Sequence, residues 1–209
     1  MTTDAAALFI VFEGGDGSGK STQARLLRDW LAGQGREVVL TREPGGTELG
    51  RRLRREVLHG DDLDPRTEAL LYAADRAHHV HTLVRPALAR GAVVVSDRYI
   101  DSSVAYQGAG RALGGDEIRE LSLWATGGLL PGLTVVLDVD AATAAGRRSR
   151  RPDRLEREPH GFHEEVRSAF LALAAADPER YVVVDSSRSR EDVHAAVVAA
   201  VAPLVGVVA

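Results

Sequence analysis

The stretch LFIVFEGGDGSGKSTQARLLRDWLA, residues 8–32, runs from a continuous apolar segment through a glycine-rich turn into a helical pattern. Gly14, Gly19, Lys20 and Ser21 stand at the spacing G-x-x-x-x-G-K-[ST], with an expected strand before and an expected helix after, the context this phosphate-loop pattern requires. Its glycines let backbone N–H groups converge on phosphate oxygens, and the helix N-terminus adds its dipole. The whole loop, Gly14, Gly15, Asp16, Gly17, Ser18, Gly19, Lys20, Ser21 and Thr22, is therefore the candidate cradle for a nucleoside triphosphate. Lys20 is expected to bridge the β- and γ-phosphates and Ser21 to bind Mg2+. Lys20 is also the sole lysine of an arginine-rich chain; such a bias often reflects codon composition, and on that reading the one lysine is expected to mark a place where a compact point charge serves and a planar fork does not.

Working outward, four more apolar runs resemble the first: REVVLTRE (36–43), GAVVVSDRY (91–99), LTVVLDVD (133–140) and RYVVVDSS (180–187). None alternates in and out, as expected of strands buried on both faces of a parallel sheet. Helical patterns over about 20–32, 47–58, 66–89, 116–126, 141–150, 163–175 and 190–201 separate them, so the expected fold is doubly wound α/β. No repeat or linker divides residues 1–209, and a single domain is expected. Ligands of such sheets bind beyond the carboxyl ends of the strands, which directs attention to residues 13–16, 41–46, 97–99 and 138–140.

Composition narrows the partners. A formal charge of −4 carries no basic excess to suggest nucleic acid, and the absence of cysteine excludes disulfides and thiolate metal sites. The N-terminus lacks a signal-peptide pattern, and AAVVAAVAPLVGVV (195–208) is too short and too proline-interrupted for a membrane span. The expectation is a cytoplasmic protein with neither membrane nor nucleic-acid partners.

VVVSD, residues 93–97, supplies a strand ending in an acid, so that Asp97 is a candidate to hold Mg2+ through water. A guanine-specific [NT]-K-x-D motif cannot exist after Lys20, which removes the GTPase-switch reading.

TREPGGT (41–47), LLYAADRAHHV (70–80) and DRYIDSSVAYQGAGR (97–111), taken with the phosphate loop, closely resemble the thymidylate kinases, over nearly the whole chain. The resemblance implies a P-loop nucleoside monophosphate kinase-like fold with a five-stranded parallel sheet covered by helices on both faces. It implies transfer of the ATP γ-phosphate to dTMP with Mg2+, giving dTDP and ADP in deoxythymidine nucleotide biosynthesis, by a homodimer. Kinases of another pyrimidine monophosphate and a nucleotide-binding module without transfer are the rival readings.

Transfer onto a phosphate sets anion against anion and calls for fixed positive charge on the acceptor. Arg42 and Arg98, at strand ends, are candidates for that role, though each could instead pair with Glu43 or Asp97. Tyr72 and Arg76, four apart on one helix face, suit stacking on a pyrimidine and reaching its carbonyl edge. Tyr72 stands where the family usually has Phe. By resemblance, Ser103 and Gln107 reach the N3 and carbonyl side of thymine, Tyr106 packs against the sugar, and Asp16 meets the deoxyribose 3′-hydroxyl.

GRRSRRPDRLERE, residues 146–158, falls where nucleotide kinases carry a mobile lid. No loop position between Gly14 and Lys20 is basic, so the catalytic arginine is expected from the lid, with Arg147 and Arg151 as the candidates and Arg154 held by its place in DRLE. His78, His79 and His81, and Arg51, Arg52, Arg54 and Arg55, read as solvated helix surface. Trp124 reads as core or interface.

Overall fold

The structure, a computed structural model, describes residues 7–147 and 153–206. Strand β1 (Leu8–Glu13) leads into α1 (Lys20–Gly33), and β2 (Val38–Arg42) into α2 (Glu48–His59). Next, α3 (Pro65–His79) passes through a π-helical turn (Val80–Val84) into α4 (Arg85–Ala89) and then β3 (Val93–Asp97). Helix α5 (Ile100–Ser103) widens into a second π-helical stretch (Val104–Gly110) before α6 (Gly115–Thr126) and β4 (Leu133–Asp138). The chain closes with α7 (Ala141–Arg147), α8 (His160–Ala176), β5 (Tyr181–Asp185) and α9 (Arg190–Val201).

Among the described residues the five strands form one parallel sheet in the order β2-β3-β1-β4-β5. Alternate residues of β1 enter opposite cores. Ile10 and Phe12 pack with Leu27 and Leu31 of α1 and Val197 and Val201 of α9. Phe9 and Val11 pack with Val80, Val84 and Ile118 on the other side. Both faces of β1, β3 and β4 are covered, which is why those runs are continuously apolar, while the edge strands β2 and β5 are less buried and Val183 of β5 is exposed. In register, Asp97 lies beside Phe12 of β1 and Arg42 of β2, so the polar strand ends meet at one edge.

Local signals set the helix starts. Thr47 caps α2 by accepting from the Gly50 N–H at 2.9 Å, and Asp64 caps α3 by accepting from Arg66 and Thr67, with Pro65 in the first turn. The expected uninterrupted helix over 66–89 instead contains the π turn. Pro86 has no N–H to give Thr82 and its ring would crowd that carbonyl, and a wider turn at Val80–Val84 relieves both. The helical stretch from Ile100 to Gly110 was not among the expected elements, because Asp101, Ser102, Ser103 and Gln107 are polar yet buried and leave no apolar period of a helix. No helix among the described residues is long and apolar enough to cross a membrane.

Candidate active site

The phosphate loop closes over the carboxyl end of β1. Gly14 sits at φ 132, and a Cβ there would lie 2.4 Å from the Leu137 carbonyl oxygen, so only glycine fits. Lys20 is buried and its Nζ donates to the carbonyls of Gly14 at 2.9 Å and Gly15 at 2.7 Å, and to Ser18 Oγ at 3.4 Å. Burial, with Arg98 next, pulls Lys20 down to about 8 against the attraction of Asp16, Asp97 and Glu13. The Ser21 hydroxyl donates to Asp97 Oδ2, so two hard oxygen groups stand side by side at the loop mouth.

Arg98 occupies the left-handed region at φ 76, a strained conformation for a side chain of this size. The strain aims its fork at the loop. Nη1 donates to the Gly14 carbonyl at 3.2 Å and to Ser102 Oγ at 2.9 Å, and Nη2 pairs with Asp16 and donates to Tyr106 Oη at 3.2 Å. Tyr106 in turn donates to Asp16 Oδ2 at 2.8 Å, with the Arg98 guanidinium 5.0 Å from its ring centroid. The ion pair of Arg98 is therefore with Asp16, not with Asp97 or Glu43. Burial alone would raise Asp16, but Arg98 and Lys20 outweigh it and hold its carboxyl well below the usual range. Burial alone would lower Arg98, but Tyr106, Asp16 and Asp97 raise it well above the ordinary arginine value.

Beneath this pair lies Glu13, which accepts from the Tyr99 N–H at 2.8 Å, the Ser102 N–H at 3.1 Å and Ser102 Oγ at 2.6 Å. Burial and Asp101 push Glu13 up to about 8. Glu13 thus fixes the backbone that carries Arg98.

A second buried network sits behind the TREPGGT turn. His79 is fully buried, with Nδ1 2.7 Å from Glu43 Oε1 and Nε2 2.7 Å from Thr41 Oγ1. This corrects the surface reading of His79: the ring ties α3 to the end of β2. Arg76 is buried as well and donates to Glu43 Oε2 at 2.7 Å, Ser122 Oγ and the Tyr99 carbonyl at 3.0 Å each, and Ser103 Oγ at 3.1 Å. Asp75, beside it, accepts from the Gly45 N–H at 3.3 Å, and burial followed by Glu43 raises it to about 6.

Two clefts open at the sheet edge and meet. One is lined by Tyr72, Arg76, Ser103, Tyr106 and Gln107, and the other by Gly17, Lys20, Ser21, Arg42, Asp97 and Arg147. Asp16, Glu43, Arg54 and Arg98 line both. The structure therefore brings Asp16, Gly17, Gly19, Lys20, Ser21, Thr22, Arg42, Asp97 and Arg98 of the loop and strand ends together with Tyr72, Arg76, Ser103, Tyr106 and Gln107 of the helices. Arg42 is exposed and makes no ion pair among the described residues. The strand end at Asp138 does not join the clefts' junction: Asp138 holds α8 through a two-pronged pair with Arg167 at 2.7 and 2.9 Å.

Sequence reading missed Arg54. It was assigned to the solvated face, yet its Nη1 donates to the Pro44 carbonyl at 3.0 Å and it lines both clefts. Burial, then Arg42, lowers it below the usual arginine value. The available signal was helical spacing: Arg54 stands four after Gly50 and three before Val57, both buried.

Of the lid candidates, Arg147 is exposed and its Nη1 donates to the Ser186 carbonyl at 2.9 Å, on the rim of an opening that Ser18, Gly19 and Thr22 also line. Arg151 lies outside the described residues. Arg154 is buried and committed elsewhere: Nε and Nη2 donate to the Val57 carbonyl at 3.1 and 2.8 Å, and Nη2 pairs with Glu68 at 2.5 Å.

A family model described as thymidylate kinase matches residues 12–197. A thymidylate kinase of Clavibacter michiganensis is 64% identical over 194 residues, covering 91% of this chain and 92% of that protein. One of Leifsonia xyli is 62% identical over 199 residues, covering 93% and 94%. The crystal structure of thymidylate kinase from Ehrlichia chaffeensis superposes with a TM-score of 0.80 at 32% identity, covering 94% of this chain and 99% of that one.

Proposed function

This chain belongs to the thymidylate kinase family, and from that premise we propose which of its residues carry the transfer of phosphate from ATP to dTMP. The reaction moves the γ-phosphoryl group of ATP onto a phosphate oxygen of dTMP: a new P–O bond forms there, the bond to the β–γ bridging oxygen breaks, and ADP leaves with that electron pair. The acceptor oxygen is already ionised at neutral pH, so positioning and charge neutralisation dominate.

The observation that carries our assignment is the junction of the two clefts at Asp16, Arg54 and Arg98. The cleft with Lys20 is the donor site. Lys20 exchanges the Gly14 and Gly15 carbonyls for phosphate oxygens, and Ser18 through Thr22 offer backbone N–H groups to them. The cleft with Tyr72, Arg76, Ser103 and Gln107 takes the thymine, so the dTMP phosphate falls at the junction, where Arg42, Arg54 and Arg98 supply positive charge. Asp16 and Tyr106 border the sugar. Arg76 reaches the base only through its fixed place beside Ser103, because its fork is held by Glu43, Ser122 and Tyr99.

Ser21 and Asp97 suit Mg2+, a hard cation that binds through one or two protein oxygens and otherwise keeps waters and phosphates. When bound, it neutralises charge on the β- and γ-phosphates. We assign the single-domain organisation a lid at about residues 146–158, whose catalytic arginine is Arg147 or Arg151. The exposed Trp124 of α6 and Leu70 of α3 support a homodimer.

The test is turnover with ATP, Mg2+ and dTMP, dUMP, dCMP or UMP, for the native enzyme and for Lys20→Ala, Arg147→Ala and Arg151→Ala. Highest kcat/KM for dTMP, loss of turnover in Lys20→Ala, and a fall of about 10²-fold or more in one lid variant are expected. Lid variants that both stay within a few-fold of native remove the lid-arginine mechanism.

A further inference from the structure

We propose that Glu68 is a positioning residue that sets the orientation of the Gln107 carboxamide, and through it makes the base cleft select a pyrimidine carrying N3–H over one whose N3 is an acceptor. The proposal rests on the reading of Gln107 as a base contact.

Glu68 sits in the first turn of α3 and is fully buried. Three side chains from two parts of the chain converge on it. Gln107 Nε2 donates to Oε1 at 2.8 Å, Arg154 Nη2 pairs with Oε2 at 2.5 Å, and Arg111 approaches with Nε and Nη2 at 3.5 Å each. A carboxylate facing two guanidiniums has only lone pairs to offer. Whichever end of the Gln107 amide faces it must therefore be the NH2, since its oxygen would meet another oxygen at hydrogen-bond distance.

That requirement fixes what the cleft presents. Gln107 is buried and lines the base cleft, and with Nε2 turned to Glu68 its Oε1 is the atom left for a ligand. An acceptor oxygen pairs with the N3–H of thymine or uracil and opposes the N3 lone pair of cytosine. Discrimination of this kind, a lone pair set against a lone pair, works by repelling the wrong base as much as by holding the right one. A free carboxamide could rotate by half a turn and serve either base. Selectivity thus depends on a residue that need not touch the substrate.

The same carboxylate connects the base cleft to the lid stem. Arg154 is fixed to α2 through the Val57 carbonyl and by its N–H to the Leu58 carbonyl at 3.1 Å, and its remaining reach goes to Glu68. The lid stem, α2, α3 and the base-reading stretch share one buried charge.

The experiment measures kcat/KM for dTMP and dCMP, KM for ATP, and Tm in Glu68→Gln and Gln107→Ala. Glu68→Gln keeps the size but can donate as well as accept, so it no longer dictates the amide orientation. The expected result is a dTMP-to-dCMP preference at least about tenfold lower than native, the worth of one good hydrogen bond, with ATP KM within about twofold. A folded Glu68→Gln enzyme with native preference overturns the role of Glu68 if Gln107→Ala still costs dTMP turnover. Native dTMP turnover in Gln107→Ala overturns the base-contact reading and the proposal with it. Should Glu68→Gln not fold, a neutron structure of the native enzyme with dTMP decides: amide deuterons toward Glu68 support the proposal, and deuterons toward the base overturn it.

Discussion

Lys20 shows how one residue carries both a legible role and a hidden property. Its place after Gly19 is the ground on which it is proposed to meet the phosphates. Its burial among Gly14, Gly15 and Ser18, which pulls it down to about 8, belongs to the folded loop. The sign of the consequence is definite: only the protonated amine attracts phosphate, so the free enzyme loses that cation as pH rises through about 8. MgATP affinity is expected to be flat from pH 6.5 to 7.5 and to weaken above 8, approaching tenfold per unit for a single required proton. Isothermal titration across pH 6.5–9.5 checks this, and constant affinity to pH 9.5 contradicts it. Arg54 and His79 are the opposite case. Both were read as solvent-facing because charge on a helix usually is, and each is turned inward by partners distant in sequence, Pro44 for Arg54 and Thr41 and Glu43 for His79.

Among elements, the turn between β2 and α2 depends on close packing. A Cβ on Gly46 would lie 2.5 Å from Thr41 Oγ1 and 2.7 Å from His79 Nε2, where those two atoms share a hydrogen bond. Gly46→Ala is therefore expected to split the Thr41–His79 contact and loosen Glu43, and with it Arg76. Thermal unfolding should show a loss of about 1–3 kcal/mol, and KM for dTMP should rise more than KM for ATP, since the donor loop lies on another strand. Equal effects on both substrates would show that the turn does not serve the acceptor side in particular. Strand and helix existence was legible because apolar runs and capping residues act locally. The helix from Ile100 to Gly110 was not, because Ser102, Ser103 and Gln107 are buried to satisfy Glu13, Arg76 and Glu68, which no local pattern reports.

For the whole molecule, the apolar clusters on the two faces of the sheet leave Trp124 82% and Leu70 57% exposed on the packed helices α6 and α3. This corrects the core reading of Trp124, and a large aromatic so exposed fits an interface with a second copy. Trp124→Glu is expected to convert the proposed dimer to monomer in size-exclusion chromatography with light scattering, without affecting the monomer's core. An unchanged mass, or a monomeric native enzyme, would remove the dimer reading at this surface. The sequence by itself determined the parallel α/β order and the family, and located the loop proposed as the donor site, because these rest on contiguous patterns: apolar runs, turn chemistry and motif spacing. Only the tertiary structure decided that Arg98 answers to Asp16, that Arg54 and His79 point inward, and that Glu68 gathers Gln107, Arg111 and Arg154. The physical reason is that a buried charge must find its partners wherever the fold places them, and that pairing leaves no periodic trace along the chain.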